Sequence, residues 1–221
     1  MATYSHETYC LQVGLKKLGF DPGGLDGLRG KKTDAALLRS KVAKFGSTSD
    51  VAQIEGKGPP RPKPTTSAKT KLFGKAGAIH LTKFKPPYDM VFSWNGEKVS
   101  NIGCHAMIAA PLEAALKEVA AKGEAYIKKH GLHLYAGCFN YRKGRGSKYL
   151  SDHAWAIAVD INPEANGNHQ TWRPNSKGSN GTYQMPKAVV AIFKKYGFQV
   201  GFKRGDGSRR DMMHIAYVNR P

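Results

Sequence analysis

Acidic residues are scarce in this 221-residue chain: 16 Asp and Glu stand against 35 Lys and Arg, a formal net charge of +19. The imbalance excludes no fold, but it favours approach to an anionic partner such as nucleic acid, a membrane surface or a bacterial envelope carrying phosphates and carboxylates. Cysteine is also rare. Cys10, Cys104 and Cys138 are odd in number, far apart and without a C-x-x-C pair, which argues against a disulfide framework or a thiolate zinc knuckle and fits synthesis in a reducing compartment. Long apolar runs are missing, since no stretch reaches the roughly 18 residues of a membrane span. The opening MATYSHETYC has no basic segment followed by an apolar one, so no signal peptide is read. If the substrate lies outside the cytoplasm, something else must deliver the protein. A monomer is expected.

What is present is organised in two parts. Leu11, Leu15 and Leu18 recur at helical spacing over Tyr9–Leu18, and Gly19 follows where a left-handed cap is expected. The glycine-rich FDPGGLDGLRGKKT then requires tight turns. A second helix is predicted to start near Thr33, which could cap it, and a brief third one to span about 49–55. LQVGLKKLGFDPGGLDGLRGKKTDAAL resembles the helical peptidoglycan-binding domain in Leu11, Gln12, Leu15, Leu18, Gly19, Phe20, Pro22, Gly23, Asp26, Gly27, Gly30, Thr33 and Ala36. The resemblance implies a wall-binding domain over residues 1–55. Asp26 and Gly27 are its candidate contact positions, with turn formation as the competing reading. Residues 56–76 hold Pro, Gly, Ser, Thr and Lys without an acid and read as a semi-extended basic linker.

Residues 77–221 form the second part. AIHLTKF and DMVFSW read as short strands, Pro111 as the start of a helix running toward Ile127 and stopping at Gly131, and LHLYAGCF as a strand. AIAVDI reads as the central strand, a helix opens at Pro186, and FQVGF and MMHIAYV are the last strands. Helices interrupted by strands in this order predict an α+β domain with a small, largely antiparallel sheet.

The chemistry concentrates in CFNYRKGRGSKYLSDHAWAIAVDINP, 138–163, and in DMMHI, 211–215. His153, Asp160 and His214 supply two imidazoles and a carboxylate, a common set of protein ligands for catalytic Zn²⁺, and Asp211 is a spare carboxylate for a reaction that needs a base. SDHAWAIAVD resembles the S-x-H-x-x-G-x-A-x-D motif of the zinc D-alanyl-D-alanine carboxypeptidases and L-alanyl-D-glutamate endopeptidases. DMMHI resembles their [DE]-x-x-H. The resemblance implies one Zn²⁺ per chain held by His153, Asp160 and His214, with Asp211 as general base and an upstream arginine steadying the oxyanion. Arg142 matches that arginine by position, and Arg145 competes for the role. Two departures are visible: Ala156 stands where the motif has glycine, a change expected to need only slight repacking, and Ile215 follows the last His where an aromatic is common. Ser151, Trp155 and Arg145 are candidate substrate contacts, whereas His80, His105 and His133 have no metal-like context.

With the wall-binding resemblance, the order of parts looks like a modular bacteriophage endolysin cutting the peptidoglycan stem peptide at the L-Ala–D-Glu bond. Such a protein is expected to be made in a host cytoplasm and to reach the wall through a separate membrane lesion. A D-alanyl-D-alanine carboxypeptidase is the nearest alternative. A non-catalytic envelope-binding protein is permitted by charge, but no specific nucleic-acid motif is present. An Fe(II) oxygenase, which also uses two His and one carboxylate, fits poorly beside a wall-binding domain.

Overall fold

A computed structural model describes residues 4–45, 61–77 and 81–219. The chain divides into two compact units, Met1–Glu55 and Gly56–Pro221.

In the first unit, α1 (His6–Lys17) begins at Ser5, whose side chain accepts from Thr8 N, and α2 (Lys31–Phe45) follows the glycine-rich loop. Gln12 of α1 organises that loop. Its buried amide donates to Asp26 Oδ1 (2.9 Å), Leu28 O (3.1 Å) and Thr33 Oγ1 (3.2 Å), and its Oε1 accepts from Asp26 N and Gly27 N. Thr33 is therefore not the cap of α2. It lies inside the first turn, buried, and donates to Pro22 O, while Gly30 O accepts the first helical bond from Asp34 N. The helix expected over 49–55 lies outside the described residues.

The second unit is α+β. Part of the stretch read as linker is structured: α3 (Thr66–Phe73) starts at Thr65, whose side chain accepts from Ala68 N, and it buries Lys69 and Phe73. Ala68, Leu72 and Phe73 share one helical face, and this spacing outweighs a composition biased toward proline and lysine. β1 (Leu81–Phe84) pairs antiparallel with β3 (Ile102–His105), and β2 (Val91–Phe92) pairs parallel with β4 (Leu134–Tyr135). Helix α4 (Ala106–Ala120) starts earlier than Pro111 suggests, because the His105 side chain accepts from Met107 N and caps it. Pro111 sits inside the helix, buried, at the expense of one backbone donor. Gly123, at φ 84°, then breaks the path toward Ile127, and α5 (Glu124–Lys129) is a separate helix.

The last sheet carries the chemistry. It is built from β5 (Ala158–Asp160), β6 (Gln199–Lys203) and β7 (Arg209–Ala216) in the order β5-β7-β6, all antiparallel. β7, not β5, is thus the middle strand. The free side of β5 is covered by the backbone after β4, through Ala136 N to Asp160 O (2.8 Å) and Asp160 N to Gly137 O (3.0 Å). A short α6 (Pro163–Asn166) follows β5, and α7 (Lys187–Lys195) packs Val189, Val190, Ile192 and Phe193 into a core shared with α4, Trp155 and Tyr217.

Candidate metal centre

Three local features bring distant residues together. His153 lies in a single 3₁₀ turn, Asp152–Trp155, which Ala156 ends in the left-handed region (φ 51°, ψ 35°) before the chain enters β5. The family glycine at this point has a backbone reason, since only glycine adopts that conformation without cost. The departure at Ala156 is therefore strained in its backbone, and repacking is the lesser matter. Next, antiparallel pairing sets Asp160 directly opposite His214. Finally, between the pairs Val200↔Ile215 and Phe202↔Arg210, β6 contributes only Gly201 while β7 contributes Asp211 to His214. Such a bulge re-aims side chains, and here it turns Asp211 (φ 55°) toward the site. Gly201 faces the bulge at φ 65°, where a Cβ would collide with Met212 Sδ and lie 2.8 Å from Arg210 O.

His153 Nε2 lies 3.1 Å from Asp160 Oδ2 and 3.2 Å from His214 Nδ1, which is itself 3.2 Å from Asp160 Oδ1. The outer nitrogens decide the tautomers. His153 Nδ1 meets a carbonyl, Cys138 O, at 2.6 Å, and His214 Nε2 meets a carboxylate, Asp152 Oδ2, at 3.2 Å, so each outer nitrogen carries the proton and donates. While the rings are neutral, the two inner nitrogens then present lone pairs to one another and to a carboxylate. Such an assembly calls for a cation at its centre. The spacings also suit one: bonds of about 2.0–2.1 Å to tetrahedral zinc place neighbouring donors roughly 3.3 Å apart. These three are the group among the described residues able to hold a metal, with ligand atoms within 4.8 Å of one another and all three residues buried.

The charges of these side chains follow the same logic. Burial works against charge on Asp160, but its close contacts with His153 and His214 outweigh it and hold its carboxyl well below the usual range. Burial also opposes charge on His214, yet its hydrogen bonds with Asp152 and Asp160 prevail and push it up to about 9. A proton there supplies the positive charge that the carboxylates favour. Asp211 behaves oppositely: burial raises its pKa and the Asp160 charge adds to the rise, against the attraction of His214. Its Oδ1 is buried without a hydrogen-bond partner among the described residues.

A cavity of about 740 Å³ opens onto this cluster, lined by Asp160, His214 and Asp211, by Ser151, and by Arg142, Arg145 and Arg210. Ser151 is half-buried, and Arg142 and Arg145 are exposed on its rim. Trp155 is not a cleft residue. It is fully buried and donates from Nε1 to Gly74 O (3.0 Å), so the substrate contact expected of it is corrected to a core role. His105 is committed to capping α4 and to Phe73 O, and His133 lies outside the cluster, whereas His80 lies outside the described residues. In the first unit, Asp26 Oδ1 is engaged by Gln12 and Leu28 N, and a Cβ on Gly27 (φ 68°) would collide with the Tyr4 ring. Both positions hold the loop in shape.

Two residues escaped the sequence reading. Asp152 backs His214, and Lys69 of α3 contacts Asp152 at 2.9 Å. Asp152 occupies a variable position of the motif, so only its neighbourhood to His153 hinted at a role. All three cysteines are free, and no helix among the described residues is long and apolar enough to cross a membrane.

Searches of curated proteins and of solved structures found no match. Residues 145–217, about a third of the chain, match the family model described as D-alanyl-D-alanine carboxypeptidase, a zinc-dependent family. The match contains Ser151, His153, Asp160, Asp211 and His214, and it supports a zinc-type peptidase domain acting on peptidoglycan.

Proposed function

We propose that the chain is an endolysin-type zinc metallopeptidase that hydrolyses the stem peptide of bacterial peptidoglycan, cutting between L-Ala and D-Glu. The observation that carries this reading is the convergence of His153 Nε2, His214 Nδ1 and the Asp160 carboxylate in one cavity, beside Asp211, whose Oδ1 has no hydrogen-bond partner among the described residues. His153, Asp160 and His214 hold the metal; when bound, Zn²⁺ supplies Lewis-acid activation of water and of the scissile carbonyl.

The remaining work falls to side chains of the chain. Asp211, whose burial makes it a stronger base than an ordinary aspartate, takes the proton of the attacking water and returns it to the leaving amine. Arg142 offsets negative charge developing on the carbonyl oxygen, and Arg145 and Ser151 contact the peptide. Phe202 stacks on the His214 ring at 5.4 Å and 14°, limiting water on that face. The arginine-rich rim suits a stem peptide bearing free carboxylates, and the net charge of +19 favours approach to an anionic envelope at low ionic strength. The helical first unit anchors the enzyme to the wall, with the Gln12-centred loop as its scaffold.

The match to a D-alanyl-D-alanine carboxypeptidase favours one alternative, removal of the terminal D-Ala. Mass spectrometry of the products released from purified sacculi by the zinc-loaded protein separates the two. New N-terminal D-Glu is the expected product. Loss of D-Ala alone refutes the endopeptidase assignment, and intact sacculi refute the enzyme.

A further inference from the structure

Behind the three converging ligands runs a second line of contacts that no motif announces. Lys69 Nζ donates to Asp152 Oδ1 at 2.9 Å, and Asp152 Oδ2 accepts from His214 Nε2 at 3.2 Å. The lysine and aspartate side chains are 3% and 0% exposed. The ammonium also stands 4.1 Å above the centre of the buried Trp155 ring and reaches Leu150 O at 3.5 Å. Lys69 comes from α3, in a segment whose composition reads as linker, and the family match begins far downstream at residue 145.

Stability gives little reason for such a pair. Removing two charges from water is seldom repaid by their mutual attraction, and well-packed apolar residues serve a fold as well or better. What the pair does provide is orientation. An imidazole ring can turn over or exchange its proton between nitrogens, and either change would take the Nδ1 lone pair of His214 away from His153 and Asp160. Asp152 prevents both by accepting from Nε2. Lys69 holds the other oxygen at 2.9 Å and so helps to keep that acceptor in place. A ligand histidine bonded through its outer nitrogen to a carboxylate is a recurrent device for setting ring direction and basicity at a metal.

We propose that Lys69 is a positioning residue of the metal centre, acting through Asp152 to keep the Nδ1 atom of His214 directed at the metal position. This rests on the reading of His153, Asp160 and His214 as zinc ligands. It extends the functional site into α3, which holds one end of the line of contacts Lys69–Asp152–His214.

The test uses the full chain, stripped of metal, with zinc affinity measured by competition against a chromophoric chelator. The His214 tautomer is read on the zinc-loaded chain by long-range ¹H–¹⁵N correlation. Lys69→Met leaves Asp152 buried without its cation and threatens folding, so Lys69→Met/Asp152→Asn, which removes both charges, is measured beside it. Expected are a dissociation constant for zinc about 10- to 100-fold weaker in the folded variants and loss of the single Nε2–H tautomer of His214. If the pair only buttresses the fold, the variants melt earlier but bind zinc as the wild type does and keep that tautomer, and the proposal is overturned. A wild-type chain that binds no zinc overturns the ligand assignment and this inference together. Wild-type binding with unchanged variants overturns this inference alone.

Discussion

Replacing Asp211 by asparagine tests the proposed general base with little structural disturbance. The position has φ 55°, a conformation that costs asparagine less than alanine, so Asp211→Ala would add a backbone cost of about 1–2 kcal/mol to any chemical effect. Asparagine also keeps the shape of the side chain while removing its ability to take a proton. Loss of a positioned base lowers kcat by roughly 10²- to 10⁴-fold, equivalent to about 3–5 kcal/mol of barrier. Stability should move the other way. The folded chain holds the Asp211 proton more tightly than the unfolded chain does, so the ionised form subtracts stability once the pH exceeds the ordinary carboxylate value of 3.8. A neutral amide at this position carries no such penalty, and the melting temperature of the variant near neutral pH should rise slightly. The assay is release of new amino groups from sacculi at matched zinc content, with elemental analysis confirming one zinc per chain. A zinc-loaded Asp211→Asn protein that cleaves at the wild-type rate refutes the base assignment, and a clear fall in melting temperature refutes the account of its burial.

Three further outcomes follow from the same geometry. The chelated protein should be most stable between pH 3.8 and 6.5: the Asp160 contribution is lost as pH falls below that window, and the His214 contribution is lost as pH rises from 6.5 through about 9. Differential scanning fluorimetry should show the alkaline decline in the chelated protein but not in the zinc-loaded one, where a metal replaces the proton. Ala156→Gly relieves a left-handed alanine at about 1 kcal/mol, but it loses a buried methyl of about 0.8 kcal/mol and frees the unfolded chain by roughly 0.5–1 kcal/mol, so urea unfolding should register a net change within about 1 kcal/mol. A loss beyond about 2 kcal/mol would show that the alanine is not strained. Arg142→Lys should depress kcat by about 10²- to 10³-fold with KM little altered, whereas Arg145→Ala should act mainly on KM; the opposite pattern in steady-state kinetics exchanges their roles.

The proposed ligand set is legible in the sequence because its geometry is carried by short-range rules. A turn, a left-handed residue and a brief strand fix His153 against Asp160, and each leaves a trace in the spacing of SDHAWAIAVD. The meeting with His214 depends on strand register, which the sequence only implies through an apolar run. That run does form a strand, but its rank within the sheet differs from the one its composition suggests: β7 is central because it pairs on both sides, whereas the second neighbour of β5 is backbone from 136–137 that alternation does not mark. Trp155 shows a different limit. Motif membership suggests contact with substrate, yet successive side chains of a 3₁₀ turn point about 120° apart, and the indole NH of Trp155 is spent on Gly74 O in the core.

The errors of composition are more instructive than those of pattern. Prolines and lysines make 56–76 resemble a solvated linker, and the average conceals a capped helical turn with Ala68, Leu72 and Phe73 on one side. A lysine buried against an aspartate cannot be told from a solvated one by composition, because the difference lies wholly in what packs around it. The bulge of β7 escapes for a related reason. Its cause is divided between strands, with the extra residues at Asp211 to His214 and the permissive Gly201 on β6. Gly201→Ala would force its Cβ against Met212 and the Arg210 carbonyl, and the part of the strand to shift would be the part that carries both the base and a ligand. The placing of Asp211 and His214 thus depends in part on a residue of the neighbouring strand, which is why a motif search finds those two but not the glycine opposite the bulge.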